Sequence, residues 1–319
     1  MGIKVVSIGA AVQDVFLQGK IFTPKTESDG SQVEEFVLGS KNDIEGVVYS
    51  TGGGATNAAV TFARQRLESC YMGKVGNDMA GQAVRHDLEK ESVDTTLMGQ
   101  STKFGTGYSA LLLAPNGERT ILTYRGASTH YEITKDDLTH VEADWFYISS
   151  LEGNFEVVET LLLYAAEKGI KVAWNPGKKE LDNKDEILSL LPHVTILSLN
   201  KEEMQLLFTG DSIETLAQGA AQKVQFAVVT DGPRGLAAAS NNETLKAGMY
   251  EDVPVVDRTG AGDAFCSGFS AAIMQGQSLR DAILLGSANS TSVVSKIGAK
   301  AGILQKDAQL HDMPIEAVN

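Results

Sequence analysis

Basic residues are in short supply in this chain. There are 41 aspartates and glutamates but only 27 lysines and arginines, a formal charge of −14 over 319 residues. A surface of that sign does not gather polyanions, which argues against a general nucleic-acid binder or a protein that lies on an anionic membrane. It leaves room for a small anionic ligand, which needs only a local positive site. Cysteine is nearly absent. Cys70 and Cys266 stand far apart and make no disulfide framework, as expected of a reduced, cytoplasmic protein. The five histidines, His86, His130, His140, His193 and His311, lack metal-ligand spacing, which argues against a structural zinc. Long apolar runs are missing too. The stretch Val5–Val12 is too short to span a bilayer, has no small-residue cleavage site and is followed by Asp14, so it reads as a first strand. No internal repeat, low-complexity tract or linker interrupts the chain.

The composition is that of an ordinary globular protein, with 43% hydrophobic and 21% charged residues. Size scaling predicts a folded surface of about 13,000 Å² with roughly three-quarters of the extended chain's surface buried. Lys4–Gly9 is rich in β-branched residues and predicts a buried central strand. Residues 11–50 carry short apolar clusters between turn residues and predict a small sheet. Helices are predicted over Thr56–Leu67 and Met79–Glu91, with a short strand at Cys70–Met72 between them. Strands at 106–113 and 119–124 flank Pro115-Asn116-Gly117-Glu118, a hairpin signal. From about residue 140, strands at Trp145–Ile148, Val172–Trp174, Val194–Leu199 and Ala227–Thr230 alternate with helices at Val157–Lys168, Ile187–Leu191, Glu202–Phe208 and Ile213–Gln222. Two longer helices follow, Ala261–Met274 and Leu279–Lys296. That alternation implies an α/β fold with a doubly wound, mainly parallel sheet flanked by helices. The whole chain, 1–319, reads as one such domain with a small β-sheet lid from two insertions, approximately 12–50 and 100–128.

The strongest local signal is Asp257-Arg258-Thr259-Gly260-Ala261-Gly262-Asp263, preceded by the apolar stretch Val253–Val256 and followed by a helix. Glycines at a helix start let a ligand approach the backbone and aim free amides at it, and the helix dipole adds positive potential. Such a cradle suits charge developing on a phosphoryl group. Asp263, one residue beyond, has the chemistry to accept a proton from an attacking hydroxyl; it is equally the residue type that caps helices. The dinucleotide fingerprint fails, because Phe265 stands where a third Gly or Ala belongs, and no P-loop is present. A second glycine run, Gly52-Gly53-Gly54, precedes Asn57, whose amide both donates and accepts. Alone it reads as a tight strand-to-helix connection.

In this order the two motifs resemble the signatures of the ribokinase-like (PfkB) family of carbohydrate and nucleoside kinases. The resemblance runs from Lys4 to about Ile303. Weaker segments fall in the family's order: Gly9–Asp14, Gly73-Lys74-Val75-Gly76-Asn77-Asp78, Asn175-Pro176-Gly177, Asn200-Lys201-Glu202-Glu203 and Thr230-Asp231-Gly232-Pro233-Arg234-Gly235.

The resemblance implies an ATP-dependent kinase acting on an alcohol group of a small sugar, with a nucleoside as alternative acceptor. A catalytically silent ligand-binding regulator is the rival from another class. The resemblance assigns Asp263 as base and Gly260, Ala261 and Gly262 as the anion cradle. Asp14, Gly52, Gly53 and Asn57 would bind the acceptor, joined by Glu152 and Arg125. Asn200, Glu203, Thr230, Gly232, Gly235 and Asn289 would serve the nucleotide, with Glu203 holding Mg2+ through water. Asp257 and Thr259, facing Lys296-Ile297-Gly298-Ala299, correspond to a K+ site in some relatives. Arg258 stands where many relatives carry Thr. Gly54 stands where phosphosugar-specific relatives often carry Lys, which disfavours a sugar-phosphate acceptor. Phe16, Phe104, Tyr108, Phe155 and Trp174 are the aromatics available to a nucleoside base, or to packing. Cys266, in the first turn after the cradle, reads as a buried structural thiol. Relatives pair through their lids, which implies a homodimer.

Overall fold

The computed structural model describes residues 2–115, 118–130 and 132–318. In chain order the elements are β1 (Lys4–Ile8), β2 (Val12–Gln18), β3 (Lys25–Thr26), β4 (Gln32–Val33), β5 (Gly46–Gly52), α1 (Gly54–Arg64), β6 (Glu68–Gly76), α2 (Met79–Lys90), β7 (Met98–Ser101), β8 (Gly107–Leu113), β9 (Arg119–Tyr124), α3 (Lys135–Leu138), β10 (Trp145–Ile148), α4 (Phe155–Lys168), β11 (Lys171–Trp174), α5 (Lys178–Leu181), α6 (Lys184–Leu190), β12 (Ile196–Asn200), α7 (Lys201–Leu207), α8 (Ile213–Ala221), β13 (Phe226–Thr230), β14 (Leu236–Ser240), β15 (Thr244–Ala247), α9 (Ala261–Met274), α10 (Leu279–Val294) and β16 (Ile315–Ala317).

Ten strands form the main sheet in the order β16-β15-β14-β13-β12-β11-β10-β1-β6-β7. The run from β7 to β13 is parallel, and β14, β15 and β16 add an antiparallel edge. Strand alternation splits the core. Phe146, Ile148, Val172 and Trp174 pack with α4, α6, α7 and α8 on one face. Trp145, Tyr147 and Ala173 pack with α9 and α10 on the other. Burial on both faces explains the near-continuous apolar strands.

A second sheet, β5-β2-β8-β9, is built from two separate stretches of chain. It is mixed: β2 runs antiparallel to β5 and parallel to β8, and β8 and β9 form the expected hairpin. The hairpin tip, Asn116-Gly117, lies outside the described residues. The accessible surface is 15,091 Å², roughly 2,000 Å² above the size expectation. The excess fits a sheet with one face in solvent and a neighbouring exposed stretch, residues 35–45.

The structure corrects several sequence expectations. The strand at Cys70–Met72 is the nine-residue β6. β7 and the β14–β16 edge were not anticipated. The apolar stretch Val253–Val256 forms no strand with the other described residues; Val256 N donates to Val294 O, and Val255 and Val256 are half exposed. Among the described residues no helix is long and apolar enough to cross a membrane.

Candidate active site

The carboxyl ends of the parallel strands gather at one edge of the main sheet, where open α/β sheets place their ligands. β1 delivers Gly9–Ala11 there, β10 delivers Ser149–Glu152, and β12 and β13 deliver Asn200 and Thr230 side by side. α1 and α9 both begin at this edge, each with a glycine at its N-cap, Gly53 and Gly260.

Gly260 takes a left-handed conformation, φ 77°, and a Cβ on it would lie 2.4 Å from that of Ala299. Only glycine fits that turn. Ala264 N closes the helix onto Gly260 O at 2.8 Å, while the amides of Gly260, Gly262 and Asp263 have no backbone partner among the described residues. One detail departs from expectation: the Ala261 amide points back to Arg258 O at 3.3 Å, closing the turn, and Asp263 supplies a free amide instead.

Asn57, in the first turn of α1, donates from Nδ2 to Asp263 Oδ2 at 2.8 Å. Thr61 and Ser267 join the same two helices one turn lower, at 2.8 Å. These ties fix the orientation of the Asp263 carboxylate. Burial pushes its pKa above the ordinary carboxylate value, and the Asn57 hydrogen bond opposes that rise. Asn57 Oδ1 is buried with no hydrogen-bond partner among the described residues. A buried acceptor in that condition is costly unless a ligand satisfies it.

Asp14 lies on β2, buried, opposite Ser50 and Ser109. Burial raises its pKa to about 6, against a lowering by the Ser109 hydroxyl and the charge of Lys300. Gly52 leaves the space its carboxylate uses. Gly53, at φ 100°, passes so close to Ala10 O that a side chain would collide. Ser109 was not anticipated, because only the β2–β8 register identifies it.

Glu152 and Arg125, expected to meet the acceptor separately, meet each other. Arg125 Nη1 lies 2.7 Å from Glu152 Oε1, and Lys179 Nζ lies 3.3 Å from Oε2. Glu152 itself has a left-handed backbone, φ 59°, unusual for a non-glycine residue. The loop before it borders Asp263, since a Cβ on Gly54 would be 3.1 Å from Ser149 Cβ and 3.3 Å from Asp263 Oδ1.

On the other side of the glycine turn lies a cleft of about 530 Å³ whose walls include Thr230, Gly232, Gly235, Ala261 and Gly262. The structure thus joins the expected nucleotide loop to the cradle. It adds Tyr250, Ser287 and Thr291, which no local motif marks. Ser287 Oγ is buried there without a hydrogen-bond partner among the described residues. Asn289 is a correction. Its Nδ2 donates to Ala264 O and its Oδ1 accepts from Leu304 N, both at 2.8 Å, so the amide is used inside the fold.

Asn200 and Glu203 form a capping box at the start of α7, with Glu203 Oε2 accepting from Asn200 N at 3.0 Å and Asn200 Oδ1 accepting from Glu203 N at 2.8 Å. Burial raises the Glu203 pKa, and Oε1 takes no part in the cap. Asp257 is buried and accepts from Thr259 N, Thr259 Oγ1 and Gly298 N, all neutral donors. Of the five aromatics, Phe16 and Trp174 are in the core, Phe155 packs against it, Phe104 stacks on His130 and Tyr108 stands exposed on the small sheet opposite Tyr124. Cys266 touches Ser198 Oγ at 2.8 Å, and burial pushes its pKa to about 12, so the thiol is a packing group.

Residues 5–306 match the sequence profile of the pfkB family carbohydrate kinases. A ribokinase from Haemophilus influenzae is 26% identical over 264 residues, covering 79% of this chain and 83% of the other. A fructokinase from Salmonella typhimurium is 27% identical over 235 residues, covering 70% and 76%. An Arabidopsis thaliana ribokinase solved with ribose and ATP has the same fold, with a TM-score of 0.79, 21% identity and 96% coverage of both chains. A Sinorhizobium meliloti adenosine kinase superposes with a TM-score of 0.76 at 23% identity, covering 94% and 96%.

Proposed function

The chain belongs to the pfkB family of carbohydrate kinases, and from that premise we propose that it transfers the γ-phosphate of ATP to an alcohol group of a small, unphosphorylated sugar. The Asn57–Asp263 pair, seated between two glycine-led helix starts, carries the reading. On one side of it lie Asp14 and the unpartnered Asn57 Oδ1, two acceptors for sugar hydroxyls. On the other lie the free amides and the cleft for the donor. Asp263 takes the proton of the attacking hydroxyl, and the amides of Gly260, Gly262 and Asp263 receive the oxygens of the moving phosphoryl group. Thr230, Gly232 and Gly235 border the donor. The linked Arg125 and Glu152 form the rim of the acceptor site. A sugar is favoured over a nucleoside because Phe16 and Trp174 are committed to the core.

Among the described residues no three His, Cys, Asp or Glu side chains converge into a metal cage. Mg2+ that arrives with the donor phosphates and keeps its waters needs only one outer carboxylate oxygen, and Glu203 Oε1 fits that need. When bound, the ion neutralises charge on the phosphates. Asp257, a buried carboxylate held by neutral donors alone, fits a neighbouring K+. Two free cysteines agree with a reducing cytoplasm.

The test is ADP release from Mg-ATP across a panel of pentoses, hexoses and nucleosides, with and without K+. We expect turnover on a free sugar, abolished by chelating Mg2+. ADP release with nucleosides alone selects the alternative acceptor, and none at all selects the silent regulator.

The small sheet is proposed to act as a lid and to pair with a second copy. Val47, Tyr49, Tyr108, Leu122 and Tyr124 stand exposed on one of its faces, a patch that self-association would cover. Light scattering at micromolar concentration is expected to give a dimer, and Tyr49→Asp with Leu122→Asp a monomer. A monomeric wild type removes this part of the proposal.

A further inference from the structure

We propose that Arg258 anchors the terminal phosphates of the donor, adding a mobile cation to the fixed amides of the glycine turn. The inference rests on the kinase reading. Among the described residues lining the donor cleft, Arg258 is the only basic one. Its side chain is exposed and makes no ion pair or hydrogen bond with the other described residues. The nearby Arg234, by contrast, is held by Asp231 through both Nε and Nη2.

The backbone at this position is fixed although the side chain is free. Asp257, on one side, is tied to Thr259 and to Gly298 N. The Arg258 carbonyl accepts from Ala261 N. The Cα therefore sits at a set place beside Gly260–Gly262, and the guanidinium swings over the cleft that those residues line. A planar, permanently charged fork is the side chain best matched to two phosphate oxygens.

The charge balance explains why this chain gains from such a residue. The protein carries −14 overall, and Glu251 and Asp252 stand in the cleft wall. Glu251 faces His311 at 3.4 Å, and among the described residues neither it nor Asp252 pairs with Arg258. Amide dipoles and one Mg2+ must otherwise overcome that field alone. Where many relatives carry an uncharged Thr, this chain places a cation at the mouth of the anion site.

The experiment is a titration of wild type, Arg258→Thr and Arg258→Lys with AMP, ADP and Mg-ATP, alongside melting curves and steady-state kinetics. An exposed, unpaired side chain can be removed without unfolding the protein, so melting should be unchanged. The Thr variant should bind ATP roughly 10- to 100-fold more weakly, the range of a charge-assisted hydrogen bond. ADP should be less affected, AMP unaffected, and Lys should recover part of the loss. Equal ATP affinity in the Thr variant, or equal loss for AMP and ATP, overturns the assignment while the kinase reading stands. Wild-type protein that binds no nucleotide overturns both.

Discussion

Replacing Asp263 with asparagine is expected to lower turnover about 100- to 10,000-fold, the range general-base catalysis supplies, while ATP still binds. The variant keeps the shape of the side chain and retains an oxygen to accept the Asn57 amide, so α1 and α9 should stay joined. What it loses is the ability to take a proton. Burial raises the Asp263 pKa, so the native state holds its proton more tightly than the unfolded chain does. Stability from that source is present at low pH and lost as pH rises through the folded value. The asparagine variant should therefore melt no lower than wild type near neutrality. In wild type, kcat should fall on acidification along a limb set by this raised pKa, and residual activity of the variant should lack that limb. Turnover within a few-fold of wild type would remove Asp263 from the base role.

What the sequence discloses about this site follows the range of the interactions. The cradle was readable because its chemistry is local: glycines, a helix start and an aspartate within seven residues. α9 begins at Ala261 and ends at Met274, as its apolar periodicity predicts. The cleft wall formed by Tyr250–Val253 and Val255 was not readable, since only tertiary packing brings it to Gly262. β14, Leu-Ala-Ala-Ala-Ser, contains three alanines and no β-branched residue, so neither propensity nor alternation marks it as a strand. Ser109 became visible only through strand register, which a single sequence leaves open. Asn289 misled because a helix-borne amide near the nucleotide region has two uses, and here Ala264 and Leu304 claim both ends of it.

Asp14→Asn should make the protein more stable and a poorer kinase. The Asp14 pKa rises from 3.8 to about 6 because burial penalises its charge. A carboxylate protonated more readily in the folded state favours folding below about pH 4, and that contribution is lost as pH climbs through about 6. Above that, the ionised group costs up to about 3 kcal/mol relative to a group with equal pKa in both states. An asparagine does not titrate, so the variant should gain most stability near pH 8 and little near pH 4. The gain will fall short of the bound, because Lys300, buried against Thr51 and Asp87, loses the attraction of Asp14. Holding a charge in so unfavourable a place is reasonable if a ligand needs it. A carboxylate accepts sugar hydroxyls more strongly than an amide does, so the acceptor KM should rise roughly 10- to 100-fold, with the ATP KM unchanged. In wild type the acceptor KM should rise as pH falls through about 6, and the variant should lose that dependence. Unchanged acceptor KM with unchanged melting at pH 8 would make Asp14 an ordinary packing residue. A loss of stability at pH 8 would show that its carboxylate serves the fold rather than the substrate.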